Sequence, residues 1–472
     1  MAEQSITPGE PTAIRDARLP LLAKFGFGSG DFAFNLVWSG TGLFLMYVYT
    51  DVFGVSPTLA GLVYAIALVW DAVTDPVMGV VADRTRTRWG RYRPWIAIGA
   101  IPLAISYALA FWNPGFTGIA LVIWIAFTHC LLRTAYTVSS IPFSSLQARL
   151  SSDANERSQL AGFRMMGAAA GVLTVAMLTP LVVKTLGQGH EARGYVLAAM
   201  AAGILAVLIF AFVVSVMREP EETQAAPKPE PMWKDVGTFF SQFAQNGPLV
   251  RVFLVIIAVS IAVTMFSKNV LYYFKYVLEA PESATLALVT PALAMLILVP
   301  AWVFIASKTS KRGAWMMGSV IAALGYLAFY LNPSKDVRVV MAIIMVISVG
   351  GSSFGVLFWS MLPDTVEWGE AHHGVRHEAK VFGFASFAQK AALGVNALLL
   401  GLMLDGVGYK ANQAQSAQTL DGITAMMSLI PLLGILVSMA LLWKYPIDAK
   451  RHAQLRQQIA ERDTSLSPVL GH

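Results

Sequence analysis

Long apolar runs dominate this sequence and constrain its fold more than any other feature. A helix that crosses the hydrocarbon core of a bilayer needs about 20 mainly apolar residues. Runs of that length predict twelve transmembrane helices, at 22–50, 57–82, 94–112, 117–147, 164–186, 194–217, 250–278, 284–307, 315–332, 338–362, 381–404 and 421–444. The predicted fold is therefore an all-α membrane protein with an even number of spans.

The composition excludes a soluble protein. Hydrophobic residues make up 56% of the chain and charged residues only 13%, whereas soluble chains carry about 25% charged residues. The net charge of +6 needs no nucleic acid, because basic loops beside anionic lipid account for it. We therefore expect membrane lipid, and no nucleic acid, among the partners.

Positive charge in the loops predicts the orientation. The segment 83–94, DRTRTRWGRYRP, holds five arginines after the second span, and further basic residues follow spans four, six and eight. The alternate loops 51–55, 113–115 and 405–417 hold only Lys410. Basic loops stay on the cytoplasmic side, so we expect a multi-pass protein of the inner (cytoplasmic) membrane with both termini cytoplasmic.

One polar segment divides the chain. Residues 218–235, REPEETQAAPKPEPMWKD, are rich in proline and charge and lack periodicity, which is typical of a linker. The predicted organisation is an N-terminal six-helix bundle (1–217), a cytoplasmic linker (218–249), a C-terminal six-helix bundle (250–444) and a cytoplasmic tail (445–472). Two six-helix halves around a midplane solute site are a known transporter architecture.

Ionisable residues within apolar spans carry the chemistry, since each costs roughly 2.5–3.5 kcal/mol at a helix centre. Span two contains Asp71 and Asp75, which lie one turn apart on one face. Their repulsion is relieved by a bound cation or a shared proton, and Thr74 supplies a further oxygen ligand. An alternative is that Asp75 lies at a helix end and pairs with a loop arginine.

Span one contains Asp31 in a glycine-rich stretch. A carboxylate in an apolar site is a handle for sugar hydroxyls, and the glycines permit close helix packing. The alternative is an ion pair between Asp31 and Lys24.

Span four carries a polar stripe that is expected to line a cavity, because its residues recur at helical spacing: Arg133, Tyr136, Thr137, Ser140 and Ser144. Span eleven contains Lys390, which is expected to pair with a carboxylate or with the substrate. The alternative for Arg133 and for Lys390 is that the side chain extends to the membrane interface.

Two further groups of charged residues are interpreted differently. Lys268 and Lys275, next to three tyrosines, are interpreted as an interfacial helix end with aromatic anchors. The segment from Asp364 to Glu378 is predicted to be a cytoplasmic connection between spans ten and eleven. There, Asp364, Glu367 and Arg376 are expected to form a charged gate that pairs across the cytoplasmic face. The nearby histidines lack the spacing of a metal site.

Several long motifs in this order resemble one family, the glycoside–pentoside–hexuronide:cation symporters. This family is the melibiose-permease branch of the major facilitator superfamily. The resemblance covers about residues 26–443, and its most specific parts are YTDVFG at 49–54, WDAVTDPVMG at 70–79, RWGR at 88–91, IPF at 141–143 and the segment 364–376.

The resemblance implies roles for individual residues. The span-two aspartates and Thr137 match the positions that bind the coupling cation, and Asp31 matches a sugar-binding aspartate. Arg164 matches a loop arginine near the start of span five, and Lys390 matches a lysine near the cation site.

One departure from the family pattern concerns the cargo. Ser140 and Ser144 stand where melibiose permease has a second sugar-binding aspartate and a tryptophan, and Arg133 lies two turns away on the same face. Electrostatic complementarity gives the hypothesis that an anionic sugar such as a hexuronide is carried.

The predicted function is secondary active transport: symport of a sugar or glycoside with Na⁺ or H⁺ by alternating access. The alternative is a cation-coupled carrier of lysolipids or similar amphiphiles with the same fold. We expect no enzyme activity and no cofactor, since the chain offers no nucleophile–base pair, phosphate loop or metal cluster. The identity of the solute and the choice between Na⁺ and H⁺ stay open.

Overall fold

A computed structural model describes residues 19–150, 154–219, 243–373 and 378–448, and individual residues between 451 and 461. Within these ranges the chain forms twelve long helices, α1 to α12. Their bounds are Leu21–Tyr47, Pro57–Arg84, Arg93–Ala110, Gly118–Leu150, Ala154–Leu186, Glu191–Val216, Gly247–Tyr272, Ala284–Lys308, Lys311–Leu331, Val337–His373, Glu378–Gly406 and Ala417–Trp443. Short π-helical segments, Val48–Val52 and Tyr273–Val277, extend α1 and α7.

Each of the twelve helices is long and apolar enough to span a membrane, so the predicted all-α membrane fold is confirmed. Two helices are longer than the apolar runs indicated. α10 continues through Pro363 to His373, so Asp364 and Glu367 lie on a helix rather than in a connecting loop. α5 begins at Ala154, which places Arg164 on that helix rather than in a loop. An apolar run ends at the first charged residue, whereas a helix extends as far as its backbone hydrogen bonds continue.

The helices form two bundles of six with the same packing pattern. In the first bundle α1 packs against α5 and α6, and α4 packs against α2 and α3. In the second bundle α7 packs against α11 and α12, and α10 packs against α8 and α9. The pattern repeats with an offset of six helices, as expected for internal structural repeats.

The bundles meet mainly through α2 with α11, α5 with α8, and α1 with α7. Close approach of α2 and α11 depends on glycine. A Cβ added to Gly401 would lie 2.2 Å from the Pro57 carbonyl oxygen, and one added to Gly61 would lie 2.7 Å from the Ala397 carbonyl oxygen. Small residues at such contacts allow the helix backbones to pack directly.

With twelve spans, α1 begins and α12 ends on the same side. We call this side the termini face and the opposite side the far face. Pro57 at the start of α2 and Gly401 near the end of α11 lie towards the far face, so the two bundles are in contact there. Most of the predicted linker lies outside the described residues, so its boundaries stay a prediction.

Candidate functional site

Two equivalent contacts between α2 and α4 lie at the centre of the site. Asp71 accepts a hydrogen bond from Arg133 Nη1 at 3.2 Å, and Asp75 accepts one from Thr137 Oγ1 at 2.6 Å. Both pairs are 62 residues apart in sequence, because the two helices run in the same direction with matching one-turn spacing. The polar stripe of α4 therefore faces the two aspartates of α2.

The second bundle contributes Lys390 to the same cluster. Its Nζ lies 2.5 Å from Asp75 Oδ2, which joins α11 to α2 by an ion pair between the bundles. Asp75 thus pairs with Lys390 rather than with a loop arginine. Asp71 is more deeply placed, and its second oxygen, Oδ1, is buried without a hydrogen-bond partner among the described residues.

Asp31 and Arg164 form the next ion pair, between α1 and α5. The Arg164 guanidinium donates through Nε to Asp31 Oδ2 and through Nη2 to Oδ1 at 3.2 Å. The same guanidinium lies 5.6 Å from the ring centroids of Phe27 and of Phe143. Lys24 instead pairs with Glu156, so the alternative partner for Asp31 is wrong.

Aromatic rings lie between these ion pairs. The Trp38 ring is 5.3 Å from Tyr136, which also contacts Phe34 at 5.4 Å. The Arg133 guanidinium also lies near Trp38, 4.9 Å from the ring centroid. Sequence reasoning missed Trp38, although its position seven residues after Asp31 puts both on one face of α1.

Three predicted residues have less direct placements. The Thr74 hydroxyl donates to the Trp70 carbonyl of its own helix at 3.1 Å. Ser140 is partly buried and Ser144 is exposed, both on the polar stripe of α4. Their participation in binding stays a prediction.

A second polar cluster, which we call the far-face lock, joins the bundles at the far face. Its centre is the Asp51 carboxylate, whose side chain is fully buried. It accepts from Lys275 Nζ at 3.0 Å, from the Tyr276 hydroxyl at 2.5 Å and from the Tyr409 hydroxyl at 2.6 Å. The neighbouring Thr50 hydroxyl lies 3.0 Å from the same carboxylate.

The three donors to Asp51 from the second bundle lie in two segments. Lys275 and Tyr276 lie in the π-helical end of α7, and Tyr409 lies in the connection between α11 and α12. Burial, with the Asp51 charge next, raises the pKa of Tyr409, so this hydroxyl remains protonated and donates. Lys275 thus pairs across the bundle interface, instead of marking a membrane-interface end as the sequence indicated.

Lys268 also departs from the interfacial interpretation. It is 4% exposed, donates to the Gly42 carbonyl at 3.0 Å and lies 4.4 Å from the Tyr64 ring centroid. Its position on α7 is between the central ion pairs and the far-face lock.

Two predicted gate residues pair with residues of the second half of the chain. Asp364 accepts from Lys311 Nζ at 2.8 Å, and Glu367 lies 2.6 Å from His452 Nε2. These are contacts of α10 with α9 and with the tail. Arg376 lies outside the described residues, so pairing of the three across the termini face stays a prediction.

The charged side chains of the centre and of the far-face lock differ in exposure, and Lys275 at the lock is 22% exposed. Side-chain exposure is 27% at Arg164 and 23% at both Asp75 and Lys390. It falls to 14% at Arg133, 6% at Asp71 and zero at Asp51. A central site closed at one face has the geometry of a carrier in which a solute enters and leaves by different sides.

The fold and the site therefore define a membrane carrier rather than an enzyme. The sequence model described as MFS/sugar transport protein matches residues 26–449. The chain belongs to that family, and its recognition as a glycoside–pentoside–hexuronide:cation symporter is confirmed.

Two curated relatives extend along nearly the whole chain. It is 30% identical to the isoprimeverose transporter of Lactiplantibacillus pentosus, over 98% of this chain and 97% of the relative. It is also 30% identical to the inner membrane symporter YicJ of Escherichia coli strain K12, over 90% and 92% of the two chains. The solved D-xylose-proton symporter superposes with a TM-score of 0.64 at 18% identity, covering 91% of this chain and 98% of that one. This likeness gives the fold only.

Proposed function

We propose that this protein takes up a neutral sugar or glycoside together with a cation, Na⁺ or H⁺, across the inner membrane. The single observation that carries the proposal is a set of three ion pairs: two within the first bundle, on α1, α2, α4 and α5, and one that joins α2 to α11 of the second bundle. Charged groups at a membrane midplane are costly, and a carrier uses such groups because a solute and an ion exchange partners with them.

The solute site is proposed at Asp31, Arg164, Tyr136 and Trp38. Asp31 and Arg164 offer a carboxylate and a guanidinium side by side, which suits hydroxyl groups that both donate and accept hydrogen bonds. The rings of Trp38 and Tyr136 offer apolar faces to the sugar ring. Ser140 and Ser144 extend this surface towards the termini face.

The cation site is proposed at Asp71 and Asp75, with Thr137 and Thr74. Lys390 connects this site to the second bundle, so a cation that weakens its ion pair with Asp75 also changes how the bundles meet. Cation binding then raises the affinity for solute, and by reciprocity the solute raises the affinity for the cation.

The termini face is proposed to be cytoplasmic, because the arginine-rich segment 83–94 lies on that side. The far-face lock then closes the extracellular side. Asp364, Glu367 and Arg376 are proposed to pair with the first bundle when the cytoplasmic side closes.

A neutral cargo is favoured because the positive charge of Arg133 already has a partner. The hexuronide hypothesis needs a free guanidinium, whereas Arg133 lies against Asp71 and Trp38. The charges of the three aspartates are likewise matched by Arg133, Arg164 and Lys390.

A thermal-stability panel followed by counterflow tests the proposal. Purified protein is heated with neutral pentosides and glycosides, glucuronides and lysophosphatidylcholine, since a ligand that binds the folded state raises the melting temperature. We expect a neutral sugar or glycoside to stabilise the protein and to exchange across proteoliposomes. Stabilisation by glucuronide alone would restore the anionic cargo, and stabilisation by lysolipid alone would favour the amphiphile carrier.

A further inference from the structure

Arg133 occupies an unusual place in the proposed cation site. Its guanidinium contacts the Asp71 carboxylate at 3.2 Å. The first of the two aspartates is therefore already paired with a positively charged side chain. The second, Asp75, has another in Lys390 at 2.5 Å. Two carboxylates and two fixed cations leave no net negative charge to attract a free metal ion.

The Arg133 side chain is held by three partners. Besides Asp71, its Nε lies 3.4 Å from His129 Nε2 and its guanidinium lies 4.9 Å from the Trp38 ring centroid. His129 is fully buried between Tyr49 and Tyr64. The cation–π contact and the buried surroundings fix the guanidinium where it is, so it is part of the site and not a surface group that swings away.

The register of α2 and α4 places the Arg133 guanidinium at Asp71, where a coupling ion would otherwise bind. The Thr137 hydroxyl donates to Asp75, and Arg133, one turn earlier on α4, donates to Asp71 in the same way. An oxygen-bearing side chain at 133 would complete a shell of hard ligands for sodium. Arginine instead supplies N–H donors and a positive charge at that position.

We propose that Arg133 is a built-in counter-cation that takes the place of sodium at Asp71, so that this carrier does not bind sodium. A sodium ion and a guanidinium carry the same charge and cannot share one buried carboxylate without strong repulsion. The inference rests on the proposed function only in assigning Asp71 and Asp75 as the cation site. Of the two coupling ions proposed at this site, Na⁺ and H⁺, the inference excludes Na⁺ and retains H⁺.

The test measures sodium binding directly and involves no sugar. Purified wild type and Arg133→Ala are melted in NaCl, in KCl and in choline chloride at equal ionic strength. The wild-type melting temperature should be the same in all three salts. Arg133→Ala, which opens the site, should gain a sodium-specific rise of about 2 °C or more.

Matched variants assign the effect to charge and to place. Arg133→Lys keeps the positive charge and should remain insensitive to sodium. Adding Asp71→Asn to Arg133→Ala should abolish the gained response. If Arg133→Ala does not fold, Arg133→Gln fills the same space without the charge and should show the same sodium-specific rise.

Two results would overturn the inference. One is a sodium-specific rise in wild type that disappears in Asp71→Asn, because sodium would then bind beside Arg133. The other is the absence of a sodium response in the folded Arg133→Ala and Arg133→Gln variants. The thermal-stability panel with solutes is a separate experiment. A wrong assignment of the transported solute therefore does not change the outcome of the sodium experiment.

Discussion

The far-face lock makes a quantitative prediction about conformational balance. Asp51 is fully buried and receives donors from Lys275, Tyr276 and Tyr409 across the bundle interface. These contacts exist only while the far face is closed. Replacing Asp51 by Asn removes the charge that Lys275 neutralises, and removing one partner of a buried ion pair costs about 3–5 kcal/mol.

The lower end of that range sets the expected size. Since each 1.4 kcal/mol is tenfold, a loss of about 3 kcal/mol raises the population open at the far face by about 100-fold. A reporter cysteine at position 42 suits the measurement. Gly42 lies on α1, one turn beyond Trp38, and a Cβ there meets no atom within 4 Å.

The assay is the rate at which an impermeant thiol reagent, added from the far side, labels Gly42→Cys in a Cys130→Ser background. Asp51→Asn should raise this rate by about 100-fold. The matched control is Asp336→Asn, which breaks the exposed far-face ion pair with Arg338 and should leave the rate unchanged. An unchanged labelling rate in a folded Asp51→Asn protein would refute the role of the lock.

Two further predictions concern the solute site and the structural support of α3. Trp38→Ala should raise the KM for the transported solute about tenfold through the loss of ring contacts. The control Trp112→Ala removes an exposed ring outside the site and should leave the KM unchanged. Equal effects of the two variants on the KM would contradict the placement of the solute. The Glu219 carboxylate accepts from the backbone N–H groups of Arg91, Tyr92 and Arg93 at 2.7 Å each, at the start of α3. Glu219→Ala should therefore lower the free energy of unfolding by about 2 kcal/mol. The measurement is thermal denaturation, with the substitution Glu282→Ala at an exposed residue as the control. An unchanged melting temperature of Glu219→Ala would show that these contacts contribute little.

The sequence predicted the fold well because the membrane imposes a simple rule. Every span must be apolar and about 20 residues long, so hydropathy finds the helices without knowledge of their packing. It located the charged residues of the centre for the same reason: Asp31, Asp71, Asp75 and Lys390 interrupt runs in which charge is costly.

Partner assignment could not be predicted, because it depends on how helices far apart in sequence are aligned. The contact of Arg133 with Asp71 follows from the parallel register of α2 and α4, and binding of the solute by Arg133 stays a prediction. Asp51 was assigned to a short loop, since the apolar run ends there. The π-helical extension of α1 instead buries it against α7. Lys275 was interpreted from its tyrosine neighbours, which pack in that buried interface.

The central claim is that the carboxylates of α2 couple the movement of a cation to that of the solute. Its most direct test compares uphill uptake with solute exchange in proteoliposomes for the double variant Asp71→Asn with Arg133→Gln. This pair of changes removes both charges and leaves neither group unpaired. We predict that accumulation against a gradient is lost while exchange of solute at equal concentrations continues. Uphill accumulation at the wild-type level would contradict the account.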